Sequence, residues 1–372
     1  MRRFQRIVLS LVAALLALAA PALPAAAVRV TTWNLEWFPN GSPKELPASE
    51  QQKRIATAAD VLRPLHSDII LLQEVRDYDV CARLGEAIAP HTYQVAICSA
   101  FREPFTPGLG KQQVAILAKE PAQAAWSEKW RSMDGVDPPR GFAFAWFKIG
   151  GTDFGVYAVH LKSNLIMKSD KATETQKNIR KREVAIEQLL NHMHAVIAPS
   201  MPMVKSFVVG GDFNTNLDQI EFAQEKTLPT LTAAGFRNVW EGAPLLQRVT
   251  HPGSGPYPDA TFDYLFAFNL LPSKAQIIPS KASDHYPVTC DFSLGNTVPP
   301  PASVTTNRVT APPAPVPQFV TLTQPVRIKI TYGETVLPRG LKLPLISRDA
   351  QSVTVKYLDE TPRIPLSATD LH

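Results

Sequence analysis

Apolar residues recur along this chain in short runs, and the runs alternate with segments of helical periodicity. Runs rich in Val, Ile and aromatic residues predict β-strands at residues 28–34, 68–74, 93–98, 113–118, 142–149, 154–161, 207–213, 261–266 and 288–292. Apolar positions on one helical face and a short amphipathic stretch predict helices at residues 49–65, 81–89 and 175–197. This mixture favours an α/β or α+β domain in which helices cover sheets.

Two local patterns refine the expected sheets. The run Ile69-Ile70-Leu71-Leu72 is apolar on both faces, which predicts a central strand that is covered on both sides. Gly150-Gly151 separates two strand-like runs and predicts a tight hairpin between them.

Polar residues that can carry chemistry lie at the ends of several predicted strands. They are Asn34, Gln73, Glu74, His160, Asp212, Asn214, Asp263, Asp284 and His285. Asp212 and Asn214 are two residues apart in Gly210-Gly211-Asp212-Phe213-Asn214, so an extended backbone projects them to the same side. Any one of these residues has an ordinary explanation as a cap or a turn, but together they indicate a site built at strand ends.

The order of these residues, Asn, Gln-Glu, His, Gly-Asp-x-Asn, Asp and Ser-Asp-His, resembles the endonuclease/exonuclease/phosphatase superfamily. That superfamily includes deoxyribonuclease I, exonuclease III, bacterial sphingomyelinases and inositol-polyphosphate phosphatases. The resemblance covers residues 28–294. It implies a four-layer αββα sandwich, in which two packed mixed β-sheets are flanked by helices. It also implies metal-dependent hydrolysis of a phosphate ester.

The resemblance implies a metal site that is built from oxygen ligands. Glu74 is the expected principal carboxylate ligand, and Asn34 and Asp284 would add oxygens or hold metal-bound water. Because hard cations prefer oxygen ligands, Mg²⁺ is the expected ion, with Mn²⁺ or Ca²⁺ as alternatives.

The remaining strand-end residues are expected to move protons and to position the phosphate. His285, oriented by Asp263, and Asp212 would activate the attacking water. Asn214 would position the phosphate or the water, and His160 would donate to the phosphate or to the leaving group. The resemblance leaves open which group is the base and which is the acid.

Two motifs favour a nuclease that acts on DNA, with RNA as a further substrate. They are Gln73-Glu74-Val75-Arg76-Asp77 and Ser283-Asp284-His285-Tyr286-Pro287-Val288. In the first motif, Arg76 is expected to contact the nucleic-acid backbone. The second motif is shared with secreted sphingomyelinases, so a sphingomyelin or phospholipid phosphodiesterase is the alternative. Trp126 and Trp130 are the nearest candidates for membrane contact, although their spacing is more typical of packing on a helix face.

One departure from deoxyribonuclease I concerns the first histidine. That enzyme pairs its histidine with a glutamate just before a strand, where this chain has Lys111-Gln112-Gln113, so the partner of His160 is left open. An inositol phosphatase is disfavoured because no basic substrate signature precedes Asp263. A non-catalytic binding protein is disfavoured because the acids and histidines are all present.

The N-terminus has the layout of a secretory signal peptide. A basic start, an apolar stretch over residues 7–20 and small residues up to Ala27 predict export to the periplasm or the medium, with cleavage after Ala27. The apolar stretch is short for a membrane span, and no later segment resembles one. Removing residues 1–27 takes away three arginines and lowers the formal net charge from +5 to +2, so any basic patch must be local.

The cysteines, the other histidines and a basic run carry weaker signals. Cys81 and Cys98 are the candidate disulfide partners in an oxidising compartment, which leaves Cys290 as a free thiol. No zinc site is predicted from the other histidines, which are His66, His91, His192, His194, His251 and His372. A basic run predicts a solvated helix face, with a phosphate-contacting surface as the less favoured alternative, and its members are Lys168, Lys171, Lys177, Arg180, Lys181 and Arg182.

The composition changes after Leu294. Residues 295–318 are rich in proline and predict an extended linker. Residues 319–372 contain short alternating runs and resemble a small SH3-like β-barrel that binds an unidentified surface or protein ligand. A chain ending near Leu294 is therefore expected to keep its turnover and to lose binding.

Overall fold

The computed structural model describes residues 27–102, 108–166, 170–255, 257–294, 319–330, 333–337, 339–357 and 361–371. The predicted signal peptide, apart from its last residue, and the predicted linker lie outside the described residues. No helix in the described ranges combines the length and the apolar composition that a bilayer span needs.

The first sheet has six strands in the order β11-β12-β1-β2-β4-β3. Its strands are β1 (Ala27–Phe38), β2 (Ile69–Val75), β3 (Gln94–Cys98), β4 (Gln113–Ala118), β11 (Leu271–Ile277) and β12 (Val288–Ser293). The central pair, β1 and β2, is parallel, and the other neighbours are antiparallel.

The second sheet also has six strands, in the order β5-β6-β7-β8-β10-β9. Its strands are β5 (Ala124–Lys129), β6 (Gly141–Ile149), β7 (Thr152–His160), β8 (Ser206–Asp212), β9 (Arg237–Asn238) and β10 (Asp263–Phe268). Here β7 and β8 form the parallel pair, and the remaining pairs are antiparallel.

In the described part of the chain, four helices of at least seven residues cover the outer faces of the two packed sheets. They are α1 (Ala48–Leu62), α2 (Tyr78–Ile88), α3 (Lys171–His192) and α4 (Thr227–Ala233). A 3₁₀ turn, Arg63–Leu65, extends α1, and a π-helical turn, Met193–Ile197, extends α3. The predicted four-layer sandwich is confirmed, because β2 and β7 contact each other between the helical layers.

The side chains of β2 show how the layers are joined. Ile69 and Leu71 pack into the core between the sheets, whereas Ile70 and Leu72 pack under α1 and α2. This alternation follows from the period of two along a strand. The prediction of a central strand covered on both sides is therefore confirmed.

Some elements differ from the sequence predictions. Trp126 lies on β5 and Trp130 follows directly after it, so the predicted helix face is wrong at these positions. Trp130 is buried, and Trp126 packs against Phe144 with ring centroids 4.6 Å apart. The edge strand β11 carries few apolar residues and has exposed positions, so its sequence gave no strand signal.

The three cysteines are free thiols, so no disulfide joins Cys81 to Cys98. Cys98 nevertheless lies close enough to Cys81 to raise the pKa of its thiol, and burial adds to the shift.

The C-terminal residues form a four-stranded antiparallel sheet and a two-stranded hairpin. The sheet contains β13 (Phe319–Thr321), β16 (Lys342–Arg348), β17 (Ser352–Val355) and β18 (Arg363–Pro365), and the hairpin contains β14 (Val326–Ile330) and β15 (Gly333–Leu337). The described residues thus show two small sheets. A closed SH3-like barrel and its ligand stay predictions.

This C-terminal module packs onto the second sheet through a buried polar contact. The Tyr357 hydroxyl donates to Glu128 Oε1 of β5 at 2.6 Å, and His192 Nε2 lies 3.4 Å from the same oxygen. Burial alone would raise the pKa of Glu128, but His192 and Tyr357 outweigh it and lower the pKa. The module is therefore joined to the second sheet by a buried carboxylate.

Candidate active site

The carboxyl ends of the two parallel strand pairs meet at one edge of the sandwich. Asn34 of β1 lies opposite Gln73 of β2, directly before the pairing register of these strands shifts. In the second sheet, His160 of β7 lies opposite Asp212 of β8, which is also paired with Asp263 of β10. Since β10 runs antiparallel to β8, the start of β10 reaches the same edge as the end of β8.

Two glycines allow β8 to fit between its neighbours. A Cβ atom on Gly210 would lie 2.7 Å from Leu71 Cδ1 of the other sheet. A Cβ atom on Gly211, whose φ is +148°, would lie 1.9 Å from the Val159 carbonyl oxygen. The Gly-Gly pair therefore lets β8 deliver Asp212 while both sheets stay closely packed.

A bulge in β2 orients Glu74. The pairing register shifts between Gln73 and Val75, and Glu74 has a positive φ of 58°. A left-handed backbone is uncommon for such a residue and is typical of functional sites. The bulge lets the Trp37 amide donate to Glu74 Oε2 at 2.9 Å.

Asp212 is the centre of the site. Its Oδ2 accepts hydrogen bonds from Asn34 Nδ2 and Asn214 Nδ2, both at 2.9 Å, and its Oδ1 accepts from the Asn214 amide at 2.8 Å. His160 Nε2 lies 3.5 Å from Oδ2, and His285 Nε2 lies 3.9 Å from it. Burial raises the pKa of Asp212 to about 7, although the His285 charge opposes the shift.

His285 is held by Asp263 and by β1. Its Nδ1 lies 2.7 Å from Asp263 Oδ2, and its carbonyl oxygen accepts from Trp33 Nε1 at 2.9 Å. Burial alone would lower the pKa of His285, but Asp263 and Asp212 outweigh it and raise the pKa to about 10. The predicted pair of Asp263 and His285 is thus brought together by the fold.

The sequence left the hydrogen-bond partner of His160 open, and the structure shows what surrounds this residue. Gln113 bonds to the backbone of Phe101 and Gly110, and Gln112 accepts from Arg140, so neither glutamine contacts the imidazole. Among the described residues, His160 Nδ1 is buried and has no hydrogen-bond partner. Burial is the main cause that lowers the pKa of His160 well below its ordinary value.

His251 joins the site from the segment that precedes β10. Its Nε2 lies 3.9 Å from Asp284 Oδ2, and its ring centroid is 4.9 Å from that of His285. His251 therefore has an acidic and a histidine neighbour in the fold, although its spacing in the sequence predicted no metal site. No sequence spacing could show this, because a backbone bond from the Tyr286 amide to the Thr250 carbonyl, 2.7 Å long, brings the two loops together.

Two predicted residues have partners that bear on their expected roles. Asn34 presents its Nδ2 to Asp212 and Glu74, and its Oδ1 accepts the Glu36 amide at 3.0 Å. A metal ligand role for this oxygen would require a turn of the amide and stays a prediction. The Arg76 guanidinium pairs with Glu45 at 2.6 Å and with Asp77 at 2.8 Å, so its contact with a nucleic-acid backbone also stays a prediction.

The donor set at this edge fits a hard divalent cation. Glu74 supplies a carboxylate, and Mg²⁺ often binds to one or two protein carboxylates while water and substrate phosphate complete its ligands. The Asp284 carboxylate lies within 4.8 Å of ligand atoms of His251 and His285, and its role as a metal ligand beside Glu74 stays a prediction. Asp212, Asp263 and His285 form a second group of possible ligands at the same spacing.

The comparisons with known proteins agree with this architecture. The solved endonuclease/exonuclease/phosphatase from Beutenbergia cavernae is 17% identical, covers 89% of this chain and 81% of its own, and has a TM-score of 0.54. TDP2 from D. rerio, complexed with a single-strand DNA product, is 16% identical, covers 72% of this chain and 100% of its own, and has a TM-score of 0.51. The human Nocturnin catalytic domain with bound sulfate is 19% identical, covers 72% of this chain and 93% of its own, and has a TM-score of 0.50.

These likenesses show a shared fold. No sequence among the curated proteins matches this chain significantly. The family model described as the endonuclease/exonuclease/phosphatase family matches residues 31–285, a stretch that contains every strand-end residue named above. The chain therefore belongs to the endonuclease/exonuclease/phosphatase family.

Proposed function

We propose that this protein is an exported, metal-dependent phosphodiesterase that hydrolyses DNA as an endonuclease, with RNA as a second substrate. The observation that carries the proposal is the buried cluster around Asp212. In this cluster, His160 Nε2 and His285 Nε2 lie 3.5 and 3.9 Å from the Asp212 carboxylate, and His285 Nδ1 lies 2.7 Å from Asp263. Proton donors and acceptors in this arrangement suit in-line attack of water on a phosphodiester.

Asp212 is the group best placed to accept the proton of the attacking water. Asn34 and Asn214 hold its carboxylate in one orientation by three hydrogen bonds. His285 faces the same carboxylate through Nε2, because Asp263 holds its Nδ1 on the opposite side of the ring. His285 therefore stabilises negative charge that develops beside Asp212.

His160 is the group best placed to donate to a phosphate oxygen or to the departing oxygen. Its Nε2 faces Asp212 at 3.5 Å and Glu74 at 3.8 Å, whereas Nδ1 has no partner in the described ranges. Two nearby carboxylates favour the tautomer that carries the proton on Nε2. A divalent cation bound through Glu74 would offset charge on the phosphate oxygens.

The two tryptophans that were the candidates for membrane contact in a phospholipid phosphodiesterase have other surroundings in the fold. Trp126 donates from Nε1 to Glu128 at 3.2 Å, and Trp130 is buried, so these two side chains do not form a membrane-contacting aromatic surface. Export rests on the N-terminal sequence pattern alone.

A side-by-side assay tests the proposal. The purified protein is incubated with supercoiled plasmid, RNA and sphingomyelin vesicles, in Mg²⁺, Mn²⁺ or excess EDTA, together with the Glu74→Gln and Asp153→Asn variants. We expect metal-dependent nicking of plasmid that Glu74→Gln loses and Asp153→Asn keeps, since Asp153 lies at the opposite end of β7. Vesicle hydrolysis without nicking, or full nicking in EDTA, would overturn the proposal.

A further inference from the structure

A basic cavity of about 270 Å³ lies beside the end of β7. It is formed by the segment after β3, the end of β5, the loop before β6 and the α3 helix. Four cationic side chains and one acid contribute to its lining, namely Arg102, Lys129, Arg140, Lys181 and Asp137. The positive excess suits an anionic ligand.

Arg140 connects the basic cavity to the active site. Its Nε donates to the His160 carbonyl at 3.1 Å, and its Nη2 donates to the Leu161 carbonyl at 2.7 Å. Arg140 also has a positive φ of 65°, a backbone conformation that is uncommon outside glycine. The Arg140 side chain therefore lines the basic cavity and also binds the backbone of the candidate catalytic histidine.

Two lysines in the basic cavity have no ion-pair partner among the described residues. Within the described ranges, neither Lys129 nor Lys181 has a hydrogen bond or an ion pair with another side chain. Burial and the charges of Arg140 and Lys181 lower the pKa of the adjacent Lys162 to about 8. Positive charges that repel one another in this way are stabilised when an anion binds between them.

The neighbours of Lys181 on α3 show that this is not a general property of the basic run. Arg182 is buried and forms a bidentate pair with Glu225, at 2.8 and 2.6 Å. Arg180 pairs with Glu187 at 2.8 Å. Arg180 and Arg182 thus have acidic partners in the fold, whereas Lys129 and Lys181 have none among the residues that the structure describes.

We propose that the basic cavity binds a phosphate next to the scissile one, so that the enzyme acts on nucleic-acid chains in preference to isolated phosphodiesters. This inference rests on the proposed hydrolysis of phosphodiesters at the Asp212 cluster. The cavity is smaller than most pockets for small molecules, which measure roughly 300–1,000 Å³, and it suits one charged group with its attached carbons. Its lysines contact backbone phosphate, which gives affinity without sequence preference.

Binding and turnover are measured separately to test this site. Fluorescence anisotropy with a labelled single-stranded oligonucleotide in EDTA reports binding without cleavage, over a series of salt concentrations. We expect the Lys129→Ala/Lys181→Ala double variant to bind roughly tenfold more weakly. Its slope of log Kd against log salt should fall by about 0.7 for each lysine. Arg180→Ala, which removes one positive charge from the residue next to Lys181, is the control and should change binding by less than about twofold.

Turnover of bis(p-nitrophenyl) phosphate, a single diester, distinguishes this site from the catalytic centre. The double variant should keep the wild-type rate on this substrate while its KM for DNA rises. Unchanged anisotropy in the double variant, or equal losses in the double variant and Arg180→Ala, would overturn the phosphate site. Absence of diester hydrolysis by the wild type would instead overturn the proposed function, and the anisotropy result would still decide whether the cavity binds nucleic acid.

Discussion

Replacing Asp263 by Asn tests whether His285 acts through its buried carboxylate partner. The Asp263 carboxylate is fully buried and lies 2.7 Å from His285 Nδ1. Asparagine keeps the size of the side chain but removes its charge, so the imidazole loses a charge-assisted hydrogen bond and can take the wrong tautomer.

The geometry sets the size of the expected effect. A hydrogen bond to a charged group contributes about 1.5–3 kcal/mol, and each 1.36 kcal/mol corresponds to about a tenfold change in rate. We therefore expect Asp263→Asn to lower kcat by roughly 10- to 150-fold. KM should change little, because no contact between Asp263 and the substrate is proposed.

A double-mutant cycle with His285→Ala shows whether the two residues act as a unit. We expect Asp263→Asn to cost nothing further once His285 is removed, because its only proposed role is to orient that ring. The assay is hydrolysis of bis(p-nitrophenyl) phosphate and plasmid nicking, with folding checked by thermal unfolding. Asp153→Asn, at the other end of the same sheet, is the control. Full activity in Asp263→Asn, or additive losses in the double variant, would refute the reasoning.

Three further predictions concern the metal, the strand packing and the C-terminal module. Glu74→Gln should lose the Mg²⁺-dependent increase in thermal stability as well as hydrolysis, and an unchanged increase would exclude Glu74 as a ligand. Gly211→Ala should destabilise the fold by roughly 3 kcal/mol in urea unfolding, since its Cβ would lie 1.9 Å from the Val159 carbonyl; an unchanged midpoint would show that β8 can shift. Tyr357→Phe should lower the free energy of unfolding by about 1.5–3 kcal/mol, because it removes a donor to the buried Glu128 carboxylate. Folding lowers the pKa of Glu128. The ionised carboxylate should therefore stabilise the fold at neutral pH, and this stabilisation should be lost as the pH falls through the pKa of Glu128 in the folded state. Equal effects of Tyr357→Phe at neutral pH and in acid would contradict the prediction.

The contact between Tyr357 and Glu128 also changes the expected result of truncation. The sequence predicted that a chain ending near Leu294 keeps its turnover, because a proline-rich linker separates the two parts. The structure packs Val320, Val353 and Val355 of the module into the same apolar cluster as the second sheet. Removing the module would expose this surface, so we expect the shortened chain to unfold at a lower temperature than the full chain.

Much of the fold and most of the site residues followed from local sequence patterns. The doubly apolar run at Ile69–Val75 identified the central strand, because a strand covered on both faces must be apolar on both. Glu74, His160 and Asp212 were found because each follows such a run, and residues at strand ends share an edge of a sheet. The order of these residues along the chain then resembled that of the family.

Other features were decided by the tertiary structure, since they depend on contacts between distant segments. His251 has no sequence signal, because only the pairing of two loops brings it to Asp284 and His285. In the same way, the sequence of the basic run does not distinguish Arg182, which Glu225 neutralises, from Lys181, which lines the basic cavity. Local patterns determine which residues form strands and end them, whereas partners and charge balance are set by packing across the whole chain.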